Sequence, residues 1–161
     1  MSHIKHSTAL SLILLFSVFA LIAAYFIQYV LKYQPCNLCL IERIPYSFSI
    51  MVISICLFTK KFEKFSLVIL SFIFFSATLI AFYHFGIEQG FFTESAVCDL
   101  NNESNNLSKK ALLNQLENMP VSCKDVTFKI FGLSLATFNI FINLIFCIIT
   151  IKLFLAYEKN R

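Results

Sequence analysis

Apolar residues fall into four long runs separated by polar breaks. Thr8 to Leu31, Ile44 to Phe58, Phe65 to Tyr83 and Ile130 to Ala156 are the runs, and a bilayer is crossed by a helix of about 20 apolar residues. The second run is the shortest and reaches full length only by taking in Leu40, Ile41, Glu42 and Arg43, so its polar end belongs at an interface. None of the runs alternates with period two, as a barrel strand does. Lipid offers a backbone no hydrogen-bond partners, so each run must satisfy its own as a helix. The pattern predicts an all-α fold: an integral membrane four-helix bundle spanning at about residues 8–31, 41–58, 65–83 and 130–156, with loops at 32–40 and 84–129, as one domain over 1–161.

The long loop has a pattern of its own. Leu107, Leu112, Leu113, Leu116 and Met119 recur at helical spacing with Lys109, Lys110, Asn114 and Glu117 between them, which predicts a short helix lying on the membrane surface. Pro120 ends it, because proline cannot continue the hydrogen-bond ladder. Asn101 to Asn106 is wholly polar and reads as loop.

Composition agrees with a lipid solvent. Hydrophobic residues make up 58% of the chain and charged ones 14%, with a mean hydropathy of +0.78, which excludes an ordinary soluble domain. The net charge of +4 does not point to nucleic acid, because the basic residues form no stripe interleaved with aromatics. They flank the apolar runs instead. Lys5, the group Lys60, Lys61 and Lys64, and the tail residues Lys152, Lys159 and Arg161 predict that both termini and the 59–64 turn are cytoplasmic. Loops 32–40 and 84–129 then lie on the other side of the membrane. Lys5 and the small residues Ala20, Ala23 and Ala24 also suit a signal peptide, but the apolar core outruns the usual ~7–15 residues, so the segment is read as a span.

Topology divides the six cysteines. Cys56 and Cys147 lie inside spans and read as small buried hydrophobes. Cys36, Cys39, Cys98 and Cys123 fall in the outer loops, where an oxidising compartment favours pairing or redox work. Cys36-Asn37-Leu38-Cys39 is a C-x-x-C just before the second span, which puts Cys39 near a helix N-terminus that favours a thiolate. Arg43 follows one turn later on the same face and needs a partner at a membrane boundary. A thiolate, Glu42 or a polar ligand head group would serve. The spacing of Cys98 and Cys123 fits neither a zinc knuckle nor a haem site, and a reversible disulfide between them is the simplest assignment. Two such pairs make an electron relay by thiol–disulfide exchange. A relay needs a sink, and no dinucleotide, Fe–S or haem signature is present. A membrane quinone is the remaining acceptor; no metal is expected.

The residues resemble the bacterial disulfide bond formation protein B (DsbB) family. The likeness lies in Cys36-Asn37-Leu38-Cys39 followed by Glu42-Arg43, in Tyr83-His84-Phe85-Gly86-Ile87-Glu88, and in Val121-Ser122-Cys123-Lys124-Asp125 leading into Phe131-Gly132-Leu133-Ser134-Leu135-Ala136 with Asn139. It extends over nearly the whole chain. The resemblance implies that Cys98 and Cys123 react with a periplasmic DsbA-like thiol oxidant, Cys98 forming the mixed disulfide. Cys123 would then exchange with Cys36, leaving Cys39 to pass electrons to ubiquinone or menaquinone. Arg43 would hold that quinone, and His84 would lie near it or cap the third span at the interface. The chain departs from related sequences in lacking Trp after the second pair, where Phe128 or Phe131 stands. Two other readings fit less well. A vitamin K epoxide reductase-like bundle carries its C-x-x-C near the last helix, whereas here it precedes the second. A non-catalytic protein would hold the outer cysteines as fixed bridges or as a zinc site.

Overall fold

Caps and prolines decide where the four apolar runs begin and cease to be helical. The structure, a computed structural model, describes residues 2–59, 62–93, 98, 122–124, 129–130 and 132–159. The first helix, α1 (Ser2–Tyr29), contains neither Gly nor Pro and ends shortly before Lys32, whose φ of 59° turns the chain. A short α2 (Asn37–Ile41) then leads into α3 (Arg43–Thr59), and together they make one membrane-length segment. The break at Glu42 has a local cause in Pro45, which has no N–H to offer the carbonyl of Ile41 and whose ring crowds it. Because Pro45 sits in the first turn of α3, that helix itself loses nothing.

The third span, α4 (Glu63–Glu88), runs five residues past the expected end at Tyr83. Gly90, at φ 77°, follows its end, and the N–H groups of Phe91 and Phe92 bond back to the Gly86 carbonyl at 2.8 and 3.1 Å. A Cβ on Gly86 would lie 2.1 Å from the Phe92 ring, so the returning chain needs a glycine there. The last span begins later than its hydropathy suggests. Strands β1 (Lys129–Ile130) and β2 (Leu133–Ser134) form an antiparallel hairpin around Gly132 at φ 83°. Helix α5 (Leu135–Lys159) starts only where the Ser134 hydroxyl accepts the N–H of Thr137 at 3.3 Å, as an N-cap does. The proposed surface helix around 107–119 lies outside the described residues.

Four helices of the described chain are long and apolar enough to cross a bilayer, as the pattern predicts. Their shared core joins Leu10 and Ile13 of α1, Ile53 and Cys56 of α3, Leu67, Leu70 and Phe74 of α4, and Cys147 of α5. Cys56 and Cys147 are thus buried free thiols. Helices α4 and α5 make the most extensive pairing, and the buried Ala77, Ala81 and Ala136 are small residues of the kind that permit close approach in membranes. Phe58, Phe65 and Phe72 point outward, where lipid rather than water receives them.

Polar contacts clamp one end of the bundle. His6 Nδ1 lies 3.4 Å from Glu63 Oε1, and Lys64 pairs with Glu158. These contacts gather the starts of α1 and α4 and the end of α5 at one end of the bundle. The four outer cysteines lie at the other.

Candidate active site

Pro35 keeps the chain extended into Cys36, which stands as the N-cap of α2 with φ −71° and ψ 166°. Its Sγ accepts the backbone N–H of Cys39 at 3.2 Å. The sulfur that receives the helix N–H is therefore that of Cys36, whereas the sequence pointed to Cys39. Cys36 and Cys39 form one disulfide, and Cys98 and Cys123 form another. The four sulfurs make two bridges rather than a four-sulfur metal centre. Cys36, Cys98 and Cys123 are all buried in one cluster with Leu38 and Ile87, against which Cys39, Ile41 and Tyr83 pack. The fold thus brings both bridges to a single apolar patch, although 25 residues separate the second pair in sequence.

A polar network backs the first bridge. His84, 3% exposed, is held at Nδ1 by Glu42 Oε1 at 2.7 Å, and its Nε2 lies 3.5 Å from Cys36 Sγ. A carboxylate only accepts, so Nδ1 carries the hydrogen and Nε2 faces the sulfur. The other oxygen of Glu42 accepts from the Asn139 amide, whose Oδ1 in turn accepts from the Tyr46 hydroxyl and, at 3.2 Å, from Asn143 Nδ2. Three elements, α3, α4 and α5, therefore meet through Glu42, the residue set apart by the Pro45 break. His84 is not an interfacial cap. The longer α4 carries it inside the helix and into the core of the site.

Arg43 takes a different partner from those expected. Its Nη1 donates to Gln28 Oε1, and the guanidinium lies 5.1 Å from the ring centroid of Tyr25, both on α1. That cation–π contact and hydrogen bond fix its plane. Beside it opens a cavity of about 290 Å³, lined by Cys36, Cys39, Arg43 and His84 and walled by apolar side chains of α1 and α5. Its size is near the lower end of small-molecule sites. Ala20, Ala23 and Ala24 line its α1 side, where short side chains leave room for a flat ring.

Cys36, Cys39, Arg43 and His84, chosen from sequence, thus share one cavity, with Cys98 and Cys123 in the adjoining cluster. Sequence reasoning gave no role to Gln28, Tyr46 or Glu88. For Gln28 and Tyr46 the available signal was polarity within an apolar span, which in a membrane marks a functional position by default; Glu88 fell beyond the apolar run, among residues read as loop.

Residues 6–153 match the family model described as disulfide bond formation protein DsbB. The chain belongs to the DsbB family. A relative in Rickettsia prowazekii (strain Madrid E), described as uncharacterized protein RP370, is 30% identical over 147 residues, covering 90% of this chain and 85% of that protein. As a DsbB-family member with four membrane-length helices and two disulfides, the protein is a disulfide-forming oxidoreductase of the membrane. The family likeness read from the C-x-x-C with Glu42-Arg43 and from the Gly132-Leu133-Ser134 element is borne out over residues 6–153.

Proposed function

We propose that this protein reoxidises a periplasmic DsbA-like thiol oxidant and passes the electrons through its two cysteine pairs to a membrane quinone, ubiquinone or menaquinone. The observation that carries this reading is the common cluster of Cys36, Leu38, Ile87, Cys98 and Cys123 beside the cavity at Cys39. A partner thiolate attacks Cys98, releasing Cys123. The Cys123 thiolate then attacks Cys36, forming a Cys36–Cys123 bridge and releasing Cys39; the partner's second thiolate frees Cys98 from the mixed disulfide, and Cys98 attacks Cys123, re-forming the Cys98–Cys123 bridge and leaving Cys36 and Cys39 reduced. Each exchange breaks one S–S bond and makes one, so an electron pair moves inward without another cofactor.

The cavity fits a quinone head group in its donors as well as its shape. Arg43 supplies a fixed cation for a carbonyl oxygen that gains negative charge, and the apolar walls exclude water. A bound quinone supplies a two-electron acceptor. His84 Nε2, positioned by Glu42, holds or receives the Cys36 proton. The single chain works as one domain in the bacterial inner membrane, with both termini cytoplasmic and all four reactive cysteines periplasmic. Lys60, Lys61 and Lys64, grouped in the sequence between the second and third spans, support that orientation.

Purified protein mixed with a reduced DsbA-like oxidant and a short-chain quinone should bleach the quinone's ultraviolet absorbance and oxidise the partner in equal amounts. Full turnover by a Cys39→Ala variant would remove the proposal. Alkylation of Cys36 and Cys39 from the cytoplasmic side only would overturn the orientation.

A further inference from the structure

Glu88 is unused by the reading above, and one of its oxygens has no hydrogen-bond partner among the described residues. It is the last residue of α4, one turn beyond His84, with a side chain only 5% exposed. Its Oε1 lies 3.7 Å from His84 Nε2, while Oε2 is buried without a hydrogen-bond partner among the described residues. The side chain lines the cavity. A buried carboxyl oxygen without a partner costs free energy, and such a group inside a membrane protein calls for a functional explanation. Glu42, the other carboxyl group lining the cavity, has both oxygens engaged by His84 and Asn139.

We propose that Glu88 is a catalytic proton carrier linking Cys36, through His84, to the acceptor in the cavity. The proposal rests on the quinone-reducing reading. Re-forming the Cys36–Cys39 disulfide breaks two S–H bonds, makes one S–S bond, and sends one electron pair and two protons to the acceptor's two oxygens. Cys39 lines the cavity and gives up its proton there. For Cys36 the nearest base is His84 Nε2, 3.5 Å away, since Nδ1 is occupied by Glu42. His84 passes that proton to Glu88 Oε1, and Glu88 delivers a proton into the cavity from Oε2. The sulfur contact is of hydrogen-bond length, and the 3.7 Å gap to Glu88 is slightly long, as resting sites often are before the reacting complex tightens them. The neighbouring groups cannot replace Glu88: Arg43 is engaged with Gln28 and Tyr25, and the Tyr46 hydroxyl with Asn139.

The test uses the full chain in detergent, with dithiothreitol as reductant and decylubiquinone as acceptor. Glu88→Gln keeps the shape but cannot carry a proton, so kcat should fall at least about tenfold with the KM for decylubiquinone within about twofold. Glu88→Asp should recover most of the rate. A second readout needs no quinone: the reduced-minus-oxidised infrared difference spectrum should contain a carboxyl C=O band that shifts in heavy water. That band should vanish in Glu88→Gln and persist in Glu42→Gln. Wild-type kcat in Glu88→Gln, or an unchanged carboxyl band, overturns the proposal and leaves the quinone reading intact. An equal loss in the Gln and Asp variants with a raised KM makes Glu88 a packing residue and overturns it too. Wild-type protein that is reduced by dithiothreitol yet never reduces decylubiquinone overturns the quinone reading itself.

Discussion

Glu42 holds three elements together, and its removal should be felt as stability before it is felt as rate. In Glu42→Ala the buried His84 Nδ1–H loses its acceptor at 2.7 Å, and the Asn139 amide loses its own. Each orphaned buried donor costs about 1–3 kcal/mol. A middle value of about 4 kcal/mol for the two, at roughly 2–4 °C per kcal/mol for a chain of this size, lowers Tm by about 8–16 °C. His84→Ala instead strands one oxygen of Glu42, whereas the double variant removes both partners and strands less than the sum. A double-mutant cycle followed by thermal unfolding in detergent should therefore give a coupling of about 1–2 kcal/mol. Additivity of the two changes within about 0.5 kcal/mol would refute the network as the joint between α3 and α4.

Three further outcomes are expected. Arg43→Leu should raise the KM for decylubiquinone at least about tenfold, and Arg43→Lys should restore only part of it, because an ammonium cannot reproduce the planar stack on Tyr25 and the fork to Gln28; steady-state kinetics with the quinone varied will check this. Ser134→Ala removes the cap that starts α5 and should cost about 1 kcal/mol, or roughly 2–4 °C in Tm, measured by the same unfolding assay. Cys56→Ala and Cys147→Ala should leave quinone turnover within about twofold of wild type, since both free thiols lie in the helix core, outside the cavity lining, where a buried thiol acts as a small hydrophobe.

The number of spans, their approximate extents and the division of the cysteines into two buried within the bundle and four outside the spans were legible in the chain itself. Lipid makes those features local: a run of apolar residues either is or is not long enough to cross, and a backbone there must bond within its own segment. The C-x-x-C and the arginine one turn later were equally local. Helix ends were less so, because hydropathy continues through the hairpin before Leu135 and fades before the true end of α4 at Glu88. There the Ser134 cap and the Gly86–Phe92 contact decided the boundary. Tertiary structure alone paired His84 with Glu42 across 42 residues, gave Arg43 to Gln28 instead of a sulfur, and put both disulfides on one patch. Such partners depend on how helices rotate and pack against one another, which no spacing along a single helix records. The Glu88 oxygen without a partner among the described residues became visible only in the packed bundle.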